Sequence, residues 1–279
     1  MNSVRKRARL QRDGCLMKRW IVFLCAILFS VQTISAESRQ QSEQKTGQSA
    51  NHVFESGEKL TYNISWSNIF QAGTSVMEIS DERTRDNRAA YRVVSTTQSS
   101  PLITAFFPVL DIVQSVFDAH DLSSLSYDLN ESHGRKKRRR SMVFDPANKT
   151  VREAVNGREE IFSVPGRVQD ALSSLYYLRA QKVFSSDRPI VIAVHESGKN
   201  WSVEVQTLGR EKIRTSLGEF DTIKVKTYPK YEGVFQNKGE IFIWLTDDAR
   251  KIPVRMKSTI TIGSIVATLT NIHAGKGQP

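Results

Sequence analysis

From Leu60 onward, apolar side chains recur at every second position. Leu60, Tyr62, Ile64 and Trp66 alternate with Thr61, Asn63 and Ser65. Trp201, Val203 and Val205 alternate with Ser202, Glu204 and Gln206, and Ile223 and Val225 with Lys224 and Lys226. The longest series is Ile252, Val254, Met256, Ser258, Ile260 and Ile262, with Arg255, Lys257, Thr259 and Thr261 between its last members. A two-residue period places these side chains on one face of a strand, so the pattern predicts half-buried strands of an antiparallel sheet. Residues 190–194 and 241–245 are unbroken apolar runs and predict strands covered on both faces.

Turn chemistry divides these runs. Asn156-Gly157 lies between residues 151–155 and 158–164 and predicts a hairpin. Gly263-Ser264 follows the longest series and predicts a tight II′-type turn; Gly198-Lys199 and Leu217-Gly218 are weaker turn signals. Asp145-Pro146 turns the chain after residues 142–144. One helix interrupts the strands. Asp170 is suited to cap a helix from Ala171 to about Gln181, with Leu172, Leu175, Tyr176 and Leu178 as its apolar stripe and Arg179 and Lys182 at its C-terminal end. A short helical turn is predicted over 101–107, with Ser100 as cap, Pro101 at the first position and Pro108 as its stop. Many strands and a single helix imply a mainly β fold: a strongly curved antiparallel sheet or half-open β barrel with one α-helix, about 170–182, packed on it.

The beginning of the chain is of another kind. Arg5, Lys6, Arg7, Arg9, Arg12, Lys18 and Arg19 precede an apolar run over 20–34, and Ser35 and Ala36 follow before polar sequence begins. This is the three-part pattern of a secretory signal, an N-terminal signal helix over 1–36. The run is shorter than the ~20 apolar residues of a spanning helix. Met17-Lys18-Arg19 would itself make a compact signal start, so initiation at Met1 or at Met17 fits. The expected location is the periplasm; the alternative is anchorage to the inner membrane by an uncleaved signal. Residues 37–52, rich in Ser, Gln, Glu and Lys, read as a disordered linker, 53–272 as one β-rich domain and 273–279 as a disordered tail.

Removing the signal changes the composition. Cys15 and Cys25 both lie in it, so the remaining domain has no disulfide, no catalytic thiol and no cysteine metal site. The net charge of +11 contains +6 from residues 1–36 and +6 from the run RKKRRR at 135–140, which leaves −1 elsewhere. The basic balance therefore describes two segments and not the surface as a whole.

Several stretches resemble a family of exported bacterial proteins, domain of unknown function 3108. They are FESGEKLTYNISW with Ala72-Gly73, SPLITAFFPVLD, VQDALSSLYYLR and the closing GEIFIWLTDDARKIPVRMKSTITIGSIVATL, together spanning about residues 54–272. The resemblance implies a periplasmic β-rich domain and carries over no catalytic residue. The general shape is also similar, by fold analogy alone, to periplasmic lipoprotein carriers that hold acyl chains in a half-open barrel.

Chemistry-bearing patterns are sparse. His52, His120, His133, His195 and His273 show no paired metal-ligand spacing, and His120-Asp121 and His195-Glu196 read as surface or strand-edge residues. No GxSxG, GxGxxG or phosphate-binding loop occurs. Ser42-x-x-Lys45 and Ser56-x-x-Lys59 lie in or beside the linker and read as chance. Asp247-Asp248 could serve a hydrolase only if the carboxylates faced each other across a cleft; at a strand end they read as a turn. No catalytic residue, metal or cofactor is assigned. RKKRRR has no aromatic residue to stack on bases, so nucleic acid is not expected as a partner. It reads as a hairpin, and Arg135, Lys136, Lys137, Arg138, Arg139 and Arg140 as candidates for contact with an anionic surface such as lipid headgroups. Trp66, Phe70, Phe106, Phe107 and Trp244 are candidate lining residues of an apolar cavity.

The leading expectation is a non-enzymatic envelope protein that binds an apolar, amphipathic or lipid-like ligand within a curved sheet. The alternatives are an interaction module for a protein or anionic envelope polymer, and a hydrolase of envelope polymers.

Overall fold

The computed structural model describes residues 53–231, 234–235, 240–260 and 263–275. The predicted signal and linker therefore lie outside the described residues. Alternation becomes strand through most of its length; of the longest series, Ile252 and Ile260 flank the strand and Ile262 lies outside the described residues. The first half of the chain forms β1 (Lys59–Trp66), β2 (Phe70–Arg83), β3 (Ala89–Ser99), β4 (Val109–Asp118), β5 (Ser124–His133), β6 (Lys136–Asp145), β7 (Thr150–Val155) and β8 (Arg158–Ser163). The second half forms β9 (Ile190–Glu196), β10 (Lys199–Thr215), β11 (Gly218–Tyr231), β12 (Val234–Phe235), β13 (Ile241–Thr246), β14 (Pro253–Thr259) and β15 (Ser264–His273). Two short helices are α1 (Pro101–Thr104) and α2 (Ser173–Arg179). None of the described helices is long and apolar enough to cross a membrane.

The strands join in one antiparallel sheet in the order β8-β7-β6-β5-β4-β3-β2-β1-β15-β14-β13-β11-β10-β9, with β12 on β11. The last strand returns beside the first: Leu60 pairs with Ile272 and Trp66 with Ile265. The sheet rolls over its apolar face, where Leu60, Tyr62, Ile79, Val113, Leu129 and Val225 are buried in one core. It does not close. β8 and β9 end the path without pairing to each other. The segment after β8 spans the gap, with Val168 accepting from Ser124 N and Gln169 bonded to both Ala193 and His195 of β9.

Helix α2 lies across one end of the roll. The helix begins at Ser173, two residues later than predicted, but the Asp170 carboxylate still holds its start, accepting from the backbone N–H of Leu172 and Ser173 at 2.8 and 2.9 Å. The same carboxylate also accepts Ser115 and Ser124 hydroxyls at 2.7 Å, which ties the helix to β4 and β5. At its other end Arg179, read as a cation favouring the helix C-terminus, is buried against Glu58, just before β1. The turn over 101–107 also forms, but Ser100 donates to Gln71 O and does not cap it with its side chain.

Several expectations shift. Asn156 and Gly157 both have positive φ, 50° and 85°, and make the expected two-residue I′ turn. The turn before β10 is Ser197-Gly198, one residue earlier than read, because Glu196 pairs with Lys199. β14 ends at Thr259, and Ser264 pairs with it on β15, so Gly263-Ser264 is not the centre of a two-residue turn. β15 continues to His273, which pairs with Lys59, so the first residue of the expected tail is strand. The 241–245 run is covered on both faces: Ile243 and Leu245 enter the main core, while Trp244 packs on Ile213 and Val254 outside it. The 190–194 run is not, since Val191 is exposed on edge strand β9.

Candidate functional site

The helix and the rolled sheet leave a cavity of about 140 Å³ between them. Leu172, Leu175 and Leu178 of the α2 segment form one wall. Ile192 and Val194 of β9, with Trp201, Val203 and Val205 of β10, form a second. Ile241, Ile243, Met256 and Ile265 of β13–β15, with Met77 of β2, complete it. The helical stripe and the strand alternation thus point at the same space without filling it. The stripe recurs every three to four residues and the strands present every second residue, so both sets of side chains face inward.

Polar residues are the minority of this wall and include Ser75, Ser95, Ser174, Glu196, Thr227, Lys257 and Ser258. Ser75 accepts from the Thr97 hydroxyl at 2.8 Å. Glu196 is held by Arg140, whose Nη2 lies 2.7 Å from Oε2. Ser258 also lines the cavity, and its buried hydroxyl has no hydrogen-bond partner among the described residues.

Arg140 corrects the reading of the basic run. On a strand, residues alternate in direction. Arg140 of β6 therefore points inward and is 0% exposed, between Glu196 and the Tyr127 ring at 5.3 Å. It cannot touch an external surface. Arg138, on the same face, lies 3.6 Å from Glu131. Arg135, Lys136, Lys137 and Arg139 remain exposed.

His195 corrects another reading. It is 0% exposed; Nδ1 is 2.7 Å from Asn200 Oδ1, and Nε2 lies 3.4 Å from Glu153. Burial opposes ionisation of Glu153, but the His195 contact and Arg140 outweigh it and hold the carboxyl below the usual range. These groups bridge β6 and β7 to β9, where backbone pairing stops. A second inward group joins Asp111, Glu131 and His133. His133 Nε2 is 2.7 Å from Asp111 Oδ1, and burial pushes Glu131 up. His120 is exposed, as read, and so is His273.

The five aromatic candidates lie elsewhere. Trp66 and Phe70 pack with their rings tilted at 46° and centroids 5.4 Å apart beside the turn from β1 to β2. Phe106 is 84% exposed, and Phe107 packs on the Gly134 turn. Trp244 is on the outer face, its indole N–H donating to Glu211. None of these five lines the cavity. Trp201 does, and the alternation that placed it in the core was its only signal. Asp248 accepts from Thr246 Oγ1 and from the N–H of Arg250 and Lys251, and so builds the expected turn. Asp247 pairs with Arg210 at 2.6 Å. Among the described residues no three His, Cys, Asp or Glu side chains gather as a metal site.

A family model described as "Protein of unknown function (DUF3108)" matches residues 61–270. No curated protein matches the chain. A solved beta-barrel-like protein of domain of unknown function DUF1849 from Brucella abortus superposes with a TM-score of 0.54 at 9% identity, covering 80% of this chain and 99% of that one. At this identity it bears on the fold alone, and its description agrees with the rolled sheet. A candidate exported protein with a YmcC-like fold from Bacteroides fragilis reaches a TM-score of 0.35 at 12% identity, covering 79% and 97%. A candidate lipoprotein from Parabacteroides distasonis reaches 0.38 at 10%, covering 81% and 100%. These two likenesses are too low to carry an argument.

Proposed function

This chain belongs to the DUF3108 family of proteins of unknown function, and we propose that it is an exported, non-catalytic envelope protein that holds an apolar or lipid-like molecule inside its rolled sheet. The observation that carries this reading is the cavity beneath α2. Its walls are Leu, Ile, Val, Met and Trp side chains from the helix and six strands. An apolar cavity of about 150 Å³ excludes water and admits a molecule the size of benzene. The 140 Å³ here therefore suits one small apolar molecule or a segment of an acyl chain.

The carboxylate at the wall, Glu196, is engaged by Arg140 and does not present a free acid or base to a substrate. The unpartnered Ser258 hydroxyl offers one polar contact to an otherwise apolar occupant. Export is supported by the basic lead, the apolar run at 20–34 and the small residues Ser35 and Ala36.

Mass spectrometry of the gently purified protein tests the reading. A bound lipid is expected, and Leu175→Trp, which fills the cavity, should expel it. A protein that is isolated free of lipid and takes none up from vesicles would refute the proposal.

A further inference from the structure

Three connections meet at the end of the roll opposite α2, and two of them expose apolar side chains that a water-soluble surface ordinarily hides. The turn from β1 to β2 carries Ile69, 74% exposed, and Phe70. The connection from β3 to β4 carries Leu102, 67% exposed, and Phe106. These two are joined, since Ser100 N and Oγ donate to Ala72 O and Gln71 O at 2.8 and 3.2 Å. The turn from β5 to β6 adjoins the second: Gly134 N donates to Pro108 O at 2.7 Å, and the Phe107 ring lies against Gly134.

That third turn is cationic. Arg135, Lys136 and Lys137 are exposed and form no ion pair among the described residues. Lys137 stands beside Ser132, which pairs with the exposed Leu110, so the charged and apolar surfaces are continuous. Glu159 and Glu160 stand to the side on β8, two strands from β6.

A contiguous exposed apolar patch marks an interaction site. Apolar side chains flanked by unpaired cations have the chemistry of an anionic membrane interface, where the former enter the acyl boundary and the latter meet headgroups. We propose that this end of the roll docks on an anionic lipid bilayer, with Ile69, Phe70, Leu102 and Phe106 entering the interface and Arg135, Lys136 and Lys137 against its headgroups. The proposal stands whether or not the cavity holds a ligand. It also connects to the cavity. Ile265 of the cavity wall pairs with Trp66, and Trp66 packs on Phe70. A docked molecule thus has its apolar interior one residue pair from the interface.

The test is flotation of the protein, with its N-terminus as the cell leaves it, on vesicles of phosphatidylcholine alone or mixed equally with phosphatidylglycerol. Every variant shares that N-terminus, so differences report the docking end. Binding to the anionic vesicles is expected. Phe106→Asp should weaken it at least about tenfold, as should Lys136→Glu combined with Lys137→Glu at low salt. Arg85→Glu combined with Lys149→Glu, in turns at the opposite end, should leave it unchanged. Quenching of Trp66 fluorescence by brominated lipid should vanish in Phe106→Asp. Equal binding by all variants, binding indifferent to lipid charge, or no binding would overturn the proposal. Lipid retained by Phe106→Asp in mass spectrometry would show the interior site intact, so the two proposals can fail separately.

Discussion

Arg179 grips Glu58 with both prongs of its guanidinium, Nη1 at 2.7 Å from Oε1 and Nη2 at 2.9 Å from Oε2, and both side chains are buried. The pair pins the end of α2 to the residue before β1, and the Phe54 and Tyr176 rings lie within 5.5 and 5.1 Å of the guanidinium carbon. Removing one partner strands a buried charge, which costs about 3–5 kcal/mol, whereas replacing both by apolar residues is often neutral. Arg179→Met should therefore lower the unfolding free energy by about that amount, and Glu58→Leu with Arg179→Met by much less. Denaturant titration of both proteins decides this. Equal losses would place the stabilisation outside the pair.

Gly73 has no room for a side chain. A β carbon there would lie 2.2 Å from the carbonyl oxygen of Gln98 on the neighbouring strand. The obstacle is backbone and cannot rotate away. Gly73→Ala should cost about 1–3 kcal/mol, the ordinary range for overpacking. Thermal unfolding of the variant measures it, and an unchanged midpoint would mean that β2 and β3 separate freely at this point.

The His133–Asp111 contact makes stability depend on pH. Burial works against the charged ring, but the hydrogen bond it donates to Asp111 and the charges of Asp111 and Glu131 outweigh it, so the folded-state pKa is raised. Such a group stabilises fully below its unfolded value of about 6.5 and loses that contribution as pH rises through the raised folded value. Asp111→Asn should therefore destabilise more at about pH 5.5 than at about pH 8.5. NMR titration of the His133 ring in both proteins checks the cause; an identical midpoint in the variant would exclude it.

The Ser258 hydroxyl is buried at the cavity wall without a partner among the described residues. A buried, unsatisfied hydroxyl is costly, so Ser258→Ala should stabilise the ligand-free protein by about 1 kcal/mol. Calorimetry after delipidation tests this. A less stable variant would show that the hydroxyl is hydrogen-bonded in solution.

Much of the fold was legible because it is local. Val203 and Val205, or Met256 and Ser258, face inward by the two-residue period of a strand, and Asn156-Gly157 turns because both residues accept positive φ. The cap at Asp170 was legible for the same reason. The candidate site was not. Phe106 and Trp244 are as aromatic as Trp201, yet one is in solvent, one on the outer face and one at the cavity wall. Sequence shows which side chains are apolar, not which space they leave empty.

The charged residues draw the same line. The sequence alone determined that the chain beyond residue 36 is cysteine-free and mainly β with one basic hairpin, because composition, alternation and turn residues act over a few positions at a time. Tertiary structure decided that Arg140 of that hairpin is interior, that His195 and Glu153 meet across the seam, and that Ile69, Phe70, Leu102 and Phe106 share one end with Arg135, Lys136 and Lys137. Burial of a charge and convergence of a surface depend on which distant strands become neighbours, and rolling the sheet brings β9 back to β6 across more than fifty residues of chain and to β7 across more than forty.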